Sequence, residues 1–239
     1  MIHSTIFSKI TAPAIESPNL HKAGQMKAQR GRETWIVVAA VWLVCNTLTR
    51  AGDWPNYRGP NHNGISDEVD WQGDWGDAGP KVLWEVSVGT GSSSVVIADG
   101  RAYTMGNHGE EEDQQEDTVY CFDAVTGELL WKHTYLCPLL PKYYEGGTLA
   151  TPTVDGAVVY TLSKMGDLFC LQVDTGKVLW EQQLNRELGF TLPTWHFSGS
   201  PLILDDRLIL NVGSACVAFN KHTGELIWEN GREVCGYST

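Results

Sequence analysis

The chain has 239 residues and a formal net charge of −12, with only 17 Lys and Arg. That charge argues against a nucleic-acid footprint, which needs clustered cations to neutralise phosphates. Hydrophobic residues make up 42%, enough for a sizeable core, whereas charged residues are only 19%; with 25 Gly and 10 Trp this favours many short strands and turns over long solvated helices.

Residues 1–25 show no periodicity and no core-forming run. Met26 to Arg32 is a short basic stretch, and Trp35 to Val44 (WIVVAAVWLV) is an apolar run of ten residues. A polar stretch then ends at Thr49-Arg50-Ala51. This is the layout of a secretory signal peptide. The run is short for a bilayer span, which needs about 20 residues. The expectation for 1–51 is export with cleavage near Ala51, an uncleaved N-terminal anchor being the alternative. Met26 reads as a better start than Met1.

Residues 52–80 form a Pro/Gly/Trp-rich segment. Asp53-Trp54-Pro55-Asn56-Tyr57-Arg58-Gly59-Pro60 is punctuated as a loop. Its aromatics and Arg can fix it across a surface by stacking and hydrogen bonding. Trp71 and Trp75 are expected to do the same.

From Lys81 onwards the sequence repeats. Lys81 to Val88 (KVLWEVSV) reads as an orphan strand. Three sets of four short strands follow: 93–98, 101–107, 118–124 and 129–135; then 151–154, 158–163, 167–172 and 178–184; then 200–204, 208–212, 216–220 and 226–229. Asp99-Gly100, Asp155-Gly156 and Asp205-Asp206 supply the first hairpin turn of each set. A second turn recurs as Ala124-Val125-Thr126-Gly127, Val173-Asp174-Thr175-Gly176 and Lys221-His222-Thr223-Gly224, each followed by a strand carrying Trp131, Trp180 or Trp228. With Trp84 the tryptophan spacings are 47, 49 and 48 residues. A fixed period in this range marks a repeat architecture. Four antiparallel strands per repeat is a propeller blade, so the fold class is all-β, a partial β-propeller over 81–239. The first strands open on small residues (Ser92-Ser93-Ser94, Ala150-Thr151, Gly199-Ser200), as crowding at a propeller axis requires. A closed ring of seven or eight blades needs roughly 340–380 residues in repeats. The chain holds three whole blades and parts of two, truncated in the fourth. It is either a fragment or finds its missing neighbours in another chain.

The turn pattern Asp-x-x-Thr-Gly-x-x-x-Trp, carried by Asp123–Trp131 and less completely by Val173–Trp180 and Asn220–Trp228, resembles the pyrroloquinoline-quinone (PQQ) repeat. Trp-Pro-x-Tyr-Arg-Gly-Pro near the start is similar to the opening of secreted bacterial PQQ-like propellers, as are 141–147 and 193–201. The resemblance implies that Gly127, Trp131, Gly176, Trp180, Gly224 and Trp228 are structural, each Trp docking one blade on the next. It carries two functions. The first is a binding or assembly scaffold with protein partners in the cell envelope, like the propeller lipoprotein of outer-membrane assembly. The alternative is a quinoprotein alcohol dehydrogenase, which implies PQQ with Ca²⁺, a stacking Trp, often a vicinal disulfide, and an Asp base. The sequence has no adjacent Cys pair, and no set of six to eight oxygen ligands for Ca²⁺ is identifiable. The scaffold reading is therefore preferred, with no catalytic and no metal residues assigned.

The candidate ligand-binding residues are Tyr143, Tyr144, Glu145, Trp195 and His196, in the loops that lead into first strands on one face of a propeller. Their competing reading is loops that pack on each other. His196 lacks an identifiable nucleophile or carboxylate partner for general-base work. Glu110 to Asp113 with Glu116-Asp117 reads as a solvated acidic loop tip. Of the six cysteines none lies in a Cys-x-x-Cys or at zinc spacing. Cys121 and Cys170 share a repeat position and read as core residues; the pairing of Cys137, Cys216 and Cys235 stays open.

Overall fold

The computed structural model describes residues 52–69, 71–109, 111, 114–142 and 144–237. The leader expected over 1–51 lies outside them. The described residues build three four-stranded antiparallel sheets, each in chain order. The first contains β1 (Val96–Ala98), β2 (Arg101–His108), β3 (Glu116–Asp123) and β4 (Leu129–Leu136). The second contains β5 (Thr153–Asp155), β6 (Val158–Leu162), β7 (Asp167–Gln172) and β8 (Val178–Gln183). The third contains β9 (Leu202–Leu204), β10 (Arg207–Leu210), β11 (Val217–Asn220) and β12 (Leu226–Glu229). The first strands adjoin in series, β1 against β5 and β5 against β9, so they are the inner strands of three propeller blades that do not close into a ring.

The blades form by similar local steps, although the first hairpin turn varies: Gly156 (φ 57°) of Gly156-Ala157 is its left-handed residue in the second blade and Asp205 (φ 53°) in the third. In the first, Asp99 (φ 49°) and Gly100 (φ 73°) both adopt the left-handed conformation that a two-residue hairpin requires. The second turn is capped by a side chain. Asp123 accepts hydrogen bonds from the Val125 and Thr126 amides and from the Thr126 hydroxyl at 2.8–3.0 Å. Those bonds hold its carboxyl below the usual carboxylate range. Asn220 caps the third blade through the His222 and Thr223 amides, and Gln172 accepts the Thr175 hydroxyl in the second. A bulge follows at one shared place, Cys121/Phe122, Cys170/Leu171 and Ala218/Phe219, adding local twist.

The core lies between blades. Blades one and two enclose Tyr103, Val119, Cys121 and Trp131 against Val159, Phe169, Leu171 and Val173. Blades two and three enclose Tyr160, Leu162, Leu168 and Cys170 against Leu208, Leu210, Val217 and Phe219. The tryptophan is the joint. Trp84 Nε1 donates to the Ala124 carbonyl at 3.1 Å, Trp131 to Val173 at 2.6 Å and Trp180 to Lys221 at 3.0 Å. These carbonyls occupy equivalent places three residues before the turn glycine. A Cβ on Gly127, Gly176 or Gly224 would stand 2.5–2.6 Å from the indole above it, and all three glycines have φ near 70°. Only glycine fits such a seat. At the axis the small openings join the blades: the Ser94 amide donates to the Thr151 hydroxyl, and the Thr151 amide to the Ser200 hydroxyl.

Two expectations change. Residues 81–88 carry no strand ladder; within them Trp84 takes its repeat position on Gly127. Trp71 is 72% exposed and so is not buried against the domain; Trp75 is 41% exposed. Trp54 and Pro55 do clasp the domain: Trp54 pairs with Ile97 of β1 in both directions, and Pro55 accepts from Val154 of β5. The Trp54 ring also lies against Gly59. The five described cysteines are free thiols. Burial pushes Cys121 and Cys170 up to about 11, so they behave as small apolar groups.

Candidate functional site

Two inter-blade loops and the C-terminal segment converge on one face. The first loop, 137–148, carries Lys142, Tyr144 and Glu145; the second, 184–201, carries Trp195 and His196. Both are shaped by close backbone approaches. Gly146 has φ 84° and abuts the Leu140–Pro141 peptide, and a Cβ on Gly147 would strike the Thr90 carbonyl. His196 is held by its amide donating to the Pro193 carbonyl at 2.9 Å and adopts φ 65°. That is an uncommon conformation for a residue with a Cβ.

The structure brings three of the sequence-predicted residues together. Tyr144 Oη and His196 Nδ1 are hydrogen-bonded at 3.1 Å. The Tyr144 and Trp195 rings lie 6.4 Å apart at 58°. Glu145 stands exposed beside them, and Tyr143 lies outside the described residues. Two further residues belong to the cluster. Lys142 Nζ donates to the Thr194 carbonyl at 2.7 Å and stands 5.9 Å from the Trp195 ring centroid, within cation–π reach. Tyr237 Oη accepts the Trp195 amide at 2.8 Å. Lys142 sits in a motif visible in the sequence. Tyr237 carried no such signal, because its partner is 42 residues away in the chain.

His196 is only 8% exposed. Burial, with the positive charges of Lys142 and Lys164, holds its imidazole below the ordinary histidine range. Burial raises Tyr144, with Tyr237 adding to the effect. The cluster is therefore an aromatic surface with one cation and a neutral imidazole–phenol pair.

Beneath it lies a feature the sequence hid. Lys164 and Asp117 are both fully buried and pair at 3.2 Å across the first two blades. Asn107 Nδ2 donates to the same Asp117 oxygen at 2.7 Å and to the Cys137 carbonyl at 2.9 Å. The Lys164 carbonyl accepts the Phe197 amide at 3.1 Å, which ties this pair to the loop of Trp195 and His196. Asp117 was expected in a solvated acidic tip. It belongs instead to β3, where cross-strand pairing with Asn107 directs it inward, and only a buried cation makes that tolerable. Glu111 is exposed; Glu110, Glu112 and Asp113 lie outside the described residues.

The fit of PQQ with Ca²⁺ rests on the available donors. Among the described residues no three His, Cys, Asp or Glu side chains converge to hold a metal ion.

Comparison with known proteins agrees with the repeat. A family described as outer membrane protein assembly factor BamB matches residues 115–236, just over half of the chain. The quinoprotein alcohol dehydrogenase PedH of Pseudomonas putida is 26% identical over 146 residues, covering 56% of this chain and 22% of that protein. The chain thus spans about a fifth of that relative's length. Among solved structures, a europium-containing methanol dehydrogenase is 16% identical with a TM-score of 0.49, covering 62% of this chain and 26% of its own. BamB from Moraxella catarrhalis is 17% identical with a TM-score of 0.37, covering 57% of this chain and 50% of its own. The chain belongs to the PQQ-repeat family described as outer membrane protein assembly factor BamB.

Proposed function

We propose that this chain is an exported propeller-type scaffold that binds protein partners in the cell envelope through its inter-blade loop face. The observation that carries the reading is the cluster of Tyr144, Trp195, His196, Lys142 and Tyr237. Tyr and Trp supply rigid contact area at low entropic cost, and they dominate protein-binding hot spots. Lys142 adds a cation suited to an acidic side chain or a C-terminal carboxylate. The family supports the same direction, and an envelope location fits the basic and apolar pattern of residues 26–51.

The second reading, a quinoprotein alcohol dehydrogenase, is favoured by the 26% identity to PedH. It is opposed by the missing convergence of metal-binding side chains among the described residues. One experiment separates the two. Trp195→Ala is expected to weaken capture of a specific envelope protein at least about tenfold, as loss of a hot-spot aromatic does. Addition of PQQ and Ca²⁺ is expected to give no dye-linked alcohol oxidation. A saturable oxidation that depends on both additions would reverse the order of the readings.

A further inference from the structure

The buried charge pair beneath the loops is joined to both of them. On the side of the first blade, Asn107 Nδ2 donates to Asp117 at 2.7 Å and to the Cys137 carbonyl at 2.9 Å. Cys137 begins the first loop, and Gln115 fixes the residues that follow. Its carbonyl accepts the Cys137 amide at 2.9 Å and its side chain accepts the Leu139 amide. On the side of the second blade, the turn 163–166 is the seat of the second loop. The Ser163 hydroxyl shapes that turn by accepting the Met165 and Asp167 amides. The Gly166 carbonyl accepts the Leu184 amide at 2.8 Å, where the second loop starts, and the Lys164 carbonyl accepts the Phe197 amide at 3.1 Å, next to His196. A Cβ on Gly166 would stand 3.1 Å from the Phe197 ring, so the loop lies close on the turn.

The Lys164 ammonium on Asp117 closes this path from one loop to the other, and both side chains have 0% exposure. Burying two charges costs free energy that their attraction does not reliably return, and apolar residues of similar volume often hold such a contact as well or better. What apolar residues do not fix is a position. An apolar contact tolerates sliding, whereas a buried lysine has to meet its carboxylate. We infer that Lys164 and Asp117 are a register pin for the candidate binding face. The pair sets the second loop, with Trp195 and His196, at one height against the first, with Lys142 and Tyr144. Both are positioning residues, since neither reaches the surface. The inference rests on the scaffold reading only for what the face is used for.

Amide hydrogen exchange of the full chain tests this, with the amides of β6 and β7 as the internal reference. The double variant Lys164→Met, Asp117→Leu fills the same space without the pin. Its Leu139 and Phe197 amides are expected to exchange at least about tenfold faster relative to the reference. Asn107→Ala alters the first blade alone, yet the Phe197 amide in the second loop is expected to exchange at least about threefold faster. If the double variant does not fold, Asn107→Ala decides by itself. Unchanged exchange at Phe197 in the folded variants overturns the inference, because the surface bonds from Lys142 to Thr194 and between Tyr144 and His196 then hold the loops without it. An equal rise in the loops and in β6 and β7 also overturns it, because the pair then supports only overall stability. No partner enters the measurement. A natural chain that captures no envelope protein therefore sinks the scaffold reading and leaves the pin standing.

Discussion

The repeated turns and the inter-blade loops use the same materials, aromatic rings beside glycines, and put them to different ends. In the turns the indoles of Trp84, Trp131 and Trp180 are each matched to a glycine. Trp131 covers Gly176, its Nε1 is satisfied by Val173, and the arrangement returns a blade later with Trp180, Gly224 and Lys221. In the loops nothing returns. Tyr144, Trp195 and Tyr237 have no counterparts at the repeat spacing, and they gather around a cation and a neutral imidazole. Recurrence therefore marks packing, and the candidate binding surface is found where the period fails.

The contrast can be broken by substitution. Trp131→Ala should cost about 3–5 kcal/mol in denaturant unfolding, through lost core volume and an orphaned Val173 carbonyl. A cost under about 1 kcal/mol would remove the indole joint from the account of the fold. Lys164→Ala probes the layer between joint and loops. It leaves Asp117 buried and unpaired, and breaking such a pair costs about 3–5 kcal/mol, whereas a Lys164→Met, Asp117→Leu pair should recover much of that loss. If the double variant is no better than the single, the charge pair is not what strains the site.

The smallest effect is on pH. Burial and the nearby Lys142 and Lys164 hold His196 below its ordinary range. The unfolded chain therefore takes up that proton first. Stability should fall as pH drops from about 6.5 towards the lowered folded value, and level off below it. His133, also held down by burial, contributes with the same sign. Denaturation midpoints of His196→Gln against the natural chain should show a shallower slope over that window; an unchanged slope would mean that the imidazole is solvated.

The fold was legible because each turn is local. Asp123, Gly127 and Trp131 state within nine residues where a strand ends, reverses and packs, and the strands 167–172 and 226–229 follow to the residue. Tyr144, Trp195 and His196 were legible as a face because topology alone brings inter-blade loops together. The Lys164–Asp117 pair was not. A lysine in a Ser-Lys-Met-Gly turn and an aspartate after a run of acids both look solvent-bound. Their partnership depends on how one blade lies over the next, and no spacing along the chain encodes that. Over residues 81–88 alternation predicts a strand, and no ladder forms.

The clasp of Trp54 and Pro55 on β1 and β5 has a further consequence. The inner edge of a propeller strand is a row of backbone donors and acceptors, and a bare edge is a template for adding foreign strands. By pairing with Ile97 and Val154, the N-terminal segment insulates the first two blades from that growth. A protease nick that released residues 52–56 would do more than loosen the domain: it would turn two protected inner strands into nuclei for aggregation.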